Sequence, residues 1–274
     1  MLGTTPNSAY MLRSRWSLLA SPHFYLRYRY GENVACVRNV KRNSRFKTMK
    51  ESIFPDIFKR LSKEYSCCQF ASVPVHSLFN REKEFFRLFM PNAVSAIVVS
   101  HHVSTIKEWT WYQPLEECER CDADDHTFEV CVKIIDALER YGFQTKIVPY
   151  SGESGLQFRY VAQSAGVGQI GKNAFLLHPE WGPWVHLRIL ATTAPTKKNP
   201  LLAQTPQDVC GDCTRCIESC PARAFMHGFN GLICKKYREE KGEYIPIGAG
   251  RVYQWCKICA VVCPLGKKPK GEIQ

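Results

Sequence analysis

Apolar residues recur at regular spacing through residues 53–192, whereas residues 1–45 show no clear period. An apolar position every three or four residues is typical of a helix with one buried face. That spacing predicts three helices, over Ile53–Tyr65, Thr127–Tyr141 and Leu156–Ala165.

Short runs rich in β-branched residues predict the strands. Ala96–Val103 (AIVVSHHV) is short and almost wholly apolar at its start, which predicts a buried strand. Three further strands are predicted, over Gln144–Tyr150, Phe175–His178 and His186–Thr192. Helices and strands in this mixed order predict an α/β or α+β layered structure.

Length and composition narrow the class of protein. The chain has 274 residues, of which 45% are hydrophobic and 23% charged, which is ordinary for one large or two modest globular domains. No apolar run approaches the roughly 20 residues of a membrane span. The first 30 residues also lack the apolar core of a signal peptide. We therefore expect a cytoplasmic protein with no membrane segment.

The chain is basic, with a formal net charge of +12. Residues 1–60 alone hold twelve lysines and arginines against three acidic residues. A positive surface attracts phosphate groups, so RNA is a candidate partner. A solvated basic face without a nucleic-acid partner is the alternative interpretation.

Fourteen cysteines are unusual for a cytoplasmic protein, where thiols stay reduced and cysteines more often bind metal or carry redox chemistry. Eight of them lie between residues 210 and 263, after a polar stretch that contains two prolines (196–207). We therefore predict three regions: a basic segment over 1–45, an α/β domain over 46–200 and a cysteine-rich domain over 201–274.

The cysteine-rich region contains the spacing C-x2-C-x2-C-x3-C-P, formed by Cys210, Cys213, Cys216 and Cys220. This is the bacterial ferredoxin pattern, in which three thiolates bind one [4Fe–4S] cluster and the fourth binds the other cluster. A second, partial copy is formed by Cys256, Cys259 and Cys263, and Cys234 can supply its missing first member.

The crossed ferredoxin pattern predicts two ligand sets. Cluster one would take Cys210, Cys213, Cys216 and Cys263. Cluster two would take Cys220, Cys234, Cys256 and Cys259. Zinc is the alternative metal, but it usually takes two separated C-x2-C pairs, which this run does not resemble. Outside the run, we interpret Cys67 and Cys68 as ordinary thiols, and His101 and His102 as structural.

A glycine segment, Ala165–Asn173 (AGVGQIGKN), imitates the dinucleotide and phosphate-loop patterns. Both patterns need a strand before the glycines and a helix after them. Here the predicted order is reversed, which favours a helix C-cap followed by a glycine turn.

Together with Leu176–Pro179, Gly182–Val185 and the cysteine motifs, the glycine segment resembles the epoxyqueuosine reductase family. The resemblance implies an α+β fold, in which a nitroreductase-like α/β domain precedes a ferredoxin-like 2[4Fe–4S] domain. It also implies a cobalamin bound between them, with the corrin lined by Gly166, Gly168, Gly171, Lys172 and Asn173. The reaction implied is reduction of epoxyqueuosine in tRNA to queuosine, with electrons from a donor such as flavodoxin or ferredoxin.

The resemblance further implies a catalytic acid. The family has Asp-Tyr-His before a long helix, and the matching segment here is Asp124-Asp125-His126, without the tyrosine. Asp124 would donate the proton, provided that burial raises its pKa. The alternative is that Asp124 or Asp125 is a helix N-cap.

Two other functions stay open at this point. One is a corrinoid enzyme of the reductive dehalogenase type that acts on a small molecule. The other is a two-cluster electron-transfer protein that binds no corrinoid, in which the glycine segment is only a turn.

Overall fold

The computed structural model describes residues 53–114, 121–150, 154–197, 208–247 and 250–271. The predicted basic segment (1–45) and most of the predicted linker (198–207) lie outside these ranges. The described residues all belong to one compact unit, residues 42–274. The division near residue 200 therefore stays a prediction.

The helices are α1 (Phe54–Glu64), α2 (Asn80–Phe89), α3 (Asp122–Glu139), α4 (Phe158–Ser164), α5 (Arg215–Glu218), α6 (Gly231–Lys241) and α7 (Ile258–Val261). The strands are β1 (Cys68–Pro74), β2 (Ser95–His102), β3 (Trp111–Pro114), β4 (Thr145–Ile147), β5 (Gln169–Ile170), β6 (Leu176–Leu177), β7 (Val185–Thr192), β8 (Glu243–Ile247) and β9 (Gly250–Gln254). None of the described helices is both long and apolar enough to cross a bilayer.

A four-stranded antiparallel sheet with the order β1-β2-β7-β4 forms the centre of the α/β part. Its two central strands are buried almost along their whole length, which matches the apolar runs that predict them. The antiparallel pairing, together with helices packed on the sheet, confirms the α+β class.

The predicted helices all occur, with shifted ends. α3 begins at Asp122 rather than at Thr127, because three acidic residues occupy its first turn and interact favourably with the helix dipole. α4 is shorter than predicted, at seven residues. Strand β1 and helix α2 are not among the elements that the sequence pattern predicts.

A three-stranded sheet joins the α/β part to the cysteine-rich part. β3 pairs with β9, and β9 pairs with β8, all antiparallel. β8 and β9 belong to the insertion between Cys234 and Cys256. The insertion in the second cysteine motif therefore forms a hairpin that extends a strand of the first part.

Candidate active site

The first predicted ligand set converges on one cavity. Four cysteines line this cavity together with Asn173 and Pro264: Cys210, Cys213, Cys216 and Cys263. The first three come from the loop before and the start of α5, and the last follows α7. We call them the first cysteine group.

The second predicted ligand set also converges. We call Cys220, Cys234, Cys256 and Cys259 the second cysteine group. Burial, together with the neighbouring thiols of the other three members, raises the pKa of Cys259 to about 12. The structure thus brings together both sets of four, and their role as cluster ligands stays a prediction.

A larger open cavity of about 290 Å³ lies between the α/β part and the second cysteine group. Three of its wall residues, Cys234, Cys256 and Cys259, belong to that group. The opposite wall includes Tyr150 and His186 from the α/β part. We call this space the large cavity. A redox group bound at the second cysteine group would be adjacent to any molecule held there.

The wall of the large cavity carries hydrogen-bond donors that have no partner among the described residues. These are Arg159 Nε, Arg238 Nε and Trp255 Nε1, all buried. The Arg238 guanidinium also lies over the Trp255 ring, 4.6 Å from its centroid. Buried donors without partners are costly unless a ligand satisfies them, so this wall suits a molecule rich in acceptor oxygens.

The glycines of the predicted corrin segment do not line the large cavity. Gly166 has a φ of +79° and directly follows Ala165, the C-cap residue of α4, so the predicted C-cap followed by a glycine turn is confirmed. A Cβ on Gly168 would overlap the Leu177 carbonyl, and a Cβ on Gly171 would overlap the Leu177 side chain. These two glycines allow β5 and β6 to pack closely, and any role for all three in binding cobalamin stays a prediction.

The last two residues of the segment contact the cysteine-rich part. Lys172 Nζ donates to the carbonyl oxygen of Gly211, and the Lys172 N–H lies 3.4 Å from Cys210 Sγ. Asn173 lines both cavities and donates through Nδ2 to the Cys259 carbonyl oxygen at 3.4 Å. Of the predicted corrin-binding residues, Asn173 alone reaches the large cavity among the residues described.

Asp124 lies directly behind the cavity wall. It is fully buried in the first turn of α3, where Cys121 is the N-cap, so the N-cap interpretation is wrong. Arg188 donates two hydrogen bonds to its carboxylate, and His186 Nε2 lies 3.0 Å from Oδ1.

Burial alone would raise the pKa of Asp124. The Arg188 guanidinium and the His186 ring outweigh burial and hold that pKa well below its usual range. The raised pKa that the acid role would require is therefore not found in this arrangement. Whether Asp124 acts as the acid stays a prediction.

Sequence reasoning missed the residues that make the wall polar. His186 lies in an apolar strand, and Arg238 and Trp255 lie within the insertion of the second cysteine motif. A buried arginine or histidine within an apolar run is the signal that could have indicated Arg188 and His186, because charged residues are rarely buried without a partner.

No protein-family model matches the chain. The chain is 33% identical to an epoxyqueuosine reductase of Listeria monocytogenes over 115 residues, which is 39% of this chain and 29% of the relative. It is also 33% identical to one of Bacillus subtilis over 132 residues, 45% of this chain and 32% of the relative. Both of these relatives are named epoxyqueuosine reductase. The matched regions amount to about a third of the length of these curated relatives.

Solved structures of epoxyqueuosine reductases have a fold similar to that of this chain. A selenomethionine-labelled epoxyqueuosine reductase superposes with a TM-score of 0.58 at 21% identity, covering 81% of this chain and 68% of that one. A second, crystallised with an epoxyqueuosine-modified stem loop of tyrosine tRNA, superposes with a TM-score of 0.57 at 20% identity, covering 80% and 67%. The resemblance to epoxyqueuosine reductases that the sequence motifs indicate is therefore confirmed.

Proposed function

We propose that this protein is an iron–sulfur, cobalamin-dependent reductase of the epoxyqueuosine reductase type. The observation that carries the proposal is the position of three members of the second cysteine group, Cys234, Cys256 and Cys259, on the wall of the large cavity. Electrons that reach this group can pass to a molecule in the cavity without crossing further protein.

The donor chemistry of the two cysteine groups suits two [4Fe–4S] clusters. Each group offers four thiols, the number that such a cluster requires. The Lys172 N–H approaches Cys210 Sγ, as expected where backbone donors offset the charge of cluster sulfurs. Flavodoxin or ferredoxin is the proposed class of electron donor.

The large cavity suits cobalamin because three hydrogen-bond donors on its wall have no partner among the described residues. Arg159, Arg238 and Trp255 can each donate to the carboxamide oxygens that surround a corrin. Cobalamin, when bound and reduced, would supply a strongly nucleophilic and reducing cobalt centre. In this arrangement Asn173 connects the cavity to the segment that carries Cys259.

Asp124 and His186 are the proposed source of the proton that reduction of an epoxide requires. His186 lies on the cavity wall and contacts the carboxylate of Asp124 behind it. A proton can therefore reach the cavity through the imidazole. Burial lowers the pKa of His186, and the Asp124 carboxylate opposes that lowering by stabilising the charged ring. The acid role expected for Asp124 would then be exercised through His186.

The proposed substrate is a tRNA that carries epoxyqueuosine, which would place the protein in the cytoplasm. The support is the relatives' name, the net charge of +12 and the tRNA stem loop bound by a protein of the same fold. A basic protein that recognises phosphates should bind tRNA less tightly as salt increases.

Anaerobic reconstitution with iron, sulfide and cobalamin tests the proposal. After desalting, we expect about eight irons and about one cobalt per chain, followed by conversion of epoxyqueuosine-containing tRNA. The variant Cys256→Ser should lose iron from the second cysteine group and lose turnover. The matched control Cys131→Ser removes a buried thiol of α3 and should leave both metal contents unchanged.

Two results would contradict the proposal. About eight irons without cobalt would indicate an electron-transfer protein in which no corrinoid binds. Both metals bound without reaction on the tRNA would indicate a corrinoid enzyme that acts on another substrate.

A further inference from the structure

Two cysteines and two histidines converge at a place separate from both cysteine groups and from the large cavity. Their ligand atoms all lie within 4.8 Å of one another. We call this the Cys2His2 group: Cys67, Cys68, His101 and His126. No part of the proposed function uses it.

The register of the central sheet forms this group. Cys68 in β1 lies directly opposite His101 in β2, so both side chains project from the same face. The His102 N–H donates to the Cys67 carbonyl oxygen at 2.9 Å, which fixes the residue before β1. His126 comes from α3, and its ring centroid lies 5.0 Å from that of His101.

Two of the distances within the group match those between ligands of a tetrahedral metal ion, and no two of the four ligand atoms lie more than 4.8 Å apart. Cys67 Sγ lies 3.3 Å from His126 Nε2, and Cys68 Sγ lies 3.7 Å from His101 Nδ1. With Zn–S of about 2.3 Å and Zn–N of about 2.0 Å, neighbouring ligands around zinc lie roughly 3.3–3.8 Å apart. Only a small adjustment would place all four atoms on one ion.

A carboxylate orients one of the histidines from behind. His101 Nε2 lies 3.0 Å from Glu108 Oε2, while its other ring nitrogen faces Cys68. Ser104 Oγ and Thr105 Oγ1 donate to Glu108 Oε1 at 2.6 and 3.1 Å, which fixes the carboxylate. Metal-binding histidines commonly donate their second N–H to a carboxylate in this way.

We propose that the Cys2His2 group binds one zinc ion. Two thiolates balance the charge of Zn²⁺, so the complex can lie in a partly buried place without a net charge. Four protein ligands leave no open position, which is typical of a structural rather than a catalytic zinc site. The ion would connect the adjoining ends of β1 and β2 to the start of α3, two residues from Asp124.

The competing explanation is two independent thiol–imidazole hydrogen bonds. Such pairs would account for Cys67 with His126 and for Cys68 with His101, and would need no metal. They would not require the two pairs to converge, nor Glu108 to orient His101. Metal content and ligand type distinguish the two explanations.

The experiment uses the anaerobically reconstituted protein with its iron–sulfur clusters filled, so that the cluster cysteines are occupied. After incubation with Zn²⁺ and dialysis against a chelator, we expect about one zinc per chain, with two sulfur and two nitrogen ligands by X-ray absorption at the zinc edge. Retention of no zinc would overturn the proposal. A shell of four sulfurs would also overturn it, because the zinc would then lie at cluster cysteines.

Variants assign the zinc to these residues. Cys67→Ser and His126→Gln should each weaken zinc binding at least 100-fold, measured by competition with a chromophoric chelator. Glu108→Gln keeps all four ligands and should weaken binding about 10- to 100-fold. Cys131→Ser, on the same helix as His126, is the matched control and should bind zinc as the wild type does.

If the ligand variants fail to fold, the zinc affinity of Glu108→Gln and the X-ray absorption spectrum of the wild type still show whether the Cys2His2 group binds zinc. Unchanged zinc affinity in Glu108→Gln or in Cys67→Ser would overturn the proposal. Iron and cobalt contents are measured on the same samples, so a failure of the proposed function is seen separately.

Discussion

Arg188 and Asp124 form a two-point ion pair inside the α/β part, with Nε to Oδ1 at 2.8 Å and Nη2 to Oδ2 at 2.6 Å. The two side chains are 2% and 0% exposed. His186 contacts the same carboxylate and lines the large cavity. The imidazole ring of His186 therefore lies between the Asp124 carboxylate and the large cavity.

Replacing Asp124 with Asn should destabilise the protein. The variant leaves the Arg188 charge buried without its partner, which costs about 3–5 kcal/mol of unfolding free energy. Urea unfolding at pH 7, followed by tryptophan fluorescence under anaerobic conditions, measures this loss. The control Glu84→Gln removes the partner of the exposed Arg87 and should leave stability unchanged.

The same variant should change the response to acid. The pKa of Asp124 is lowered in the folded protein, so its stabilising contribution is present above its ordinary pKa of 3.8 and is lost as pH falls through the lower folded value. Wild-type protein should lose this contribution below about pH 4, whereas Asp124→Asn has none to lose. Parallel acid-unfolding curves for the two proteins would contradict the prediction.

The crossed assignment of cysteines predicts which double variants lose both clusters. Cys263→Ser should reduce the iron content from about eight to about four per chain, because Cys263 lies with the first cysteine group. Adding Cys210→Ser changes the same group and should cause no further loss. Adding Cys256→Ser instead should remove the remaining iron. Iron analysis and electron paramagnetic resonance of the reduced protein measure this, and the opposite pattern would show uncrossed ligands.

The glycine segment should matter for packing even without any cofactor. Gly168→Ala places a Cβ against the Leu177 carbonyl, which should destabilise the protein by about 1–3 kcal/mol. The control Gly231→Ala, at the start of α6, introduces a Cβ with only an ordinary contact and should be neutral or slightly stabilising. Thermal unfolding of protein without cobalamin measures both, and equal melting temperatures would contradict the packing role.

His178 should make the fold sensitive to mild acid. Its Nδ1 accepts hydrogen bonds from the N–H groups of Glu180 and Trp181, each at 3.2 Å, so that nitrogen cannot also carry a proton. Burial lowers the pKa of His178 from 6.5 to about 4. The unfolded chain binds this proton more readily, so stability is complete above about pH 6.5 and falls as pH decreases towards 4.

Melting temperatures measured between pH 7 and 4.5 test this dependence. His178→Gln should flatten the curve, because the residue that takes up the proton on unfolding is gone. The control His76→Gln changes an exposed histidine and should keep the wild-type slope. A slope in His178→Gln equal to that of wild type would assign the acid sensitivity to other groups.

Local sequence determined much of this protein. The apolar runs of β2 and β7 and the periodicity of α1 and α3 predicted the central elements, because burial of a repeated face depends on near neighbours in the chain. The ferredoxin spacing predicted both cysteine groups, since three of the first four thiols lie within one short loop and the start of the helix that follows it.

The tertiary structure decided what depends on residues far apart in the chain. Asp124 and Arg188 are 64 residues apart in the sequence but form an ion pair in the structure. This pairing lowers the pKa of Asp124, which burial alone would raise. Cys68 meets His101 only because β1 and β2 pair in one particular register. A shift of that register by one residue would turn the Cys68 side chain to the other face of the sheet. The spacing of apolar residues along the chain predicts neither contact, because that spacing depends on near neighbours and does not specify which distant side chains come together.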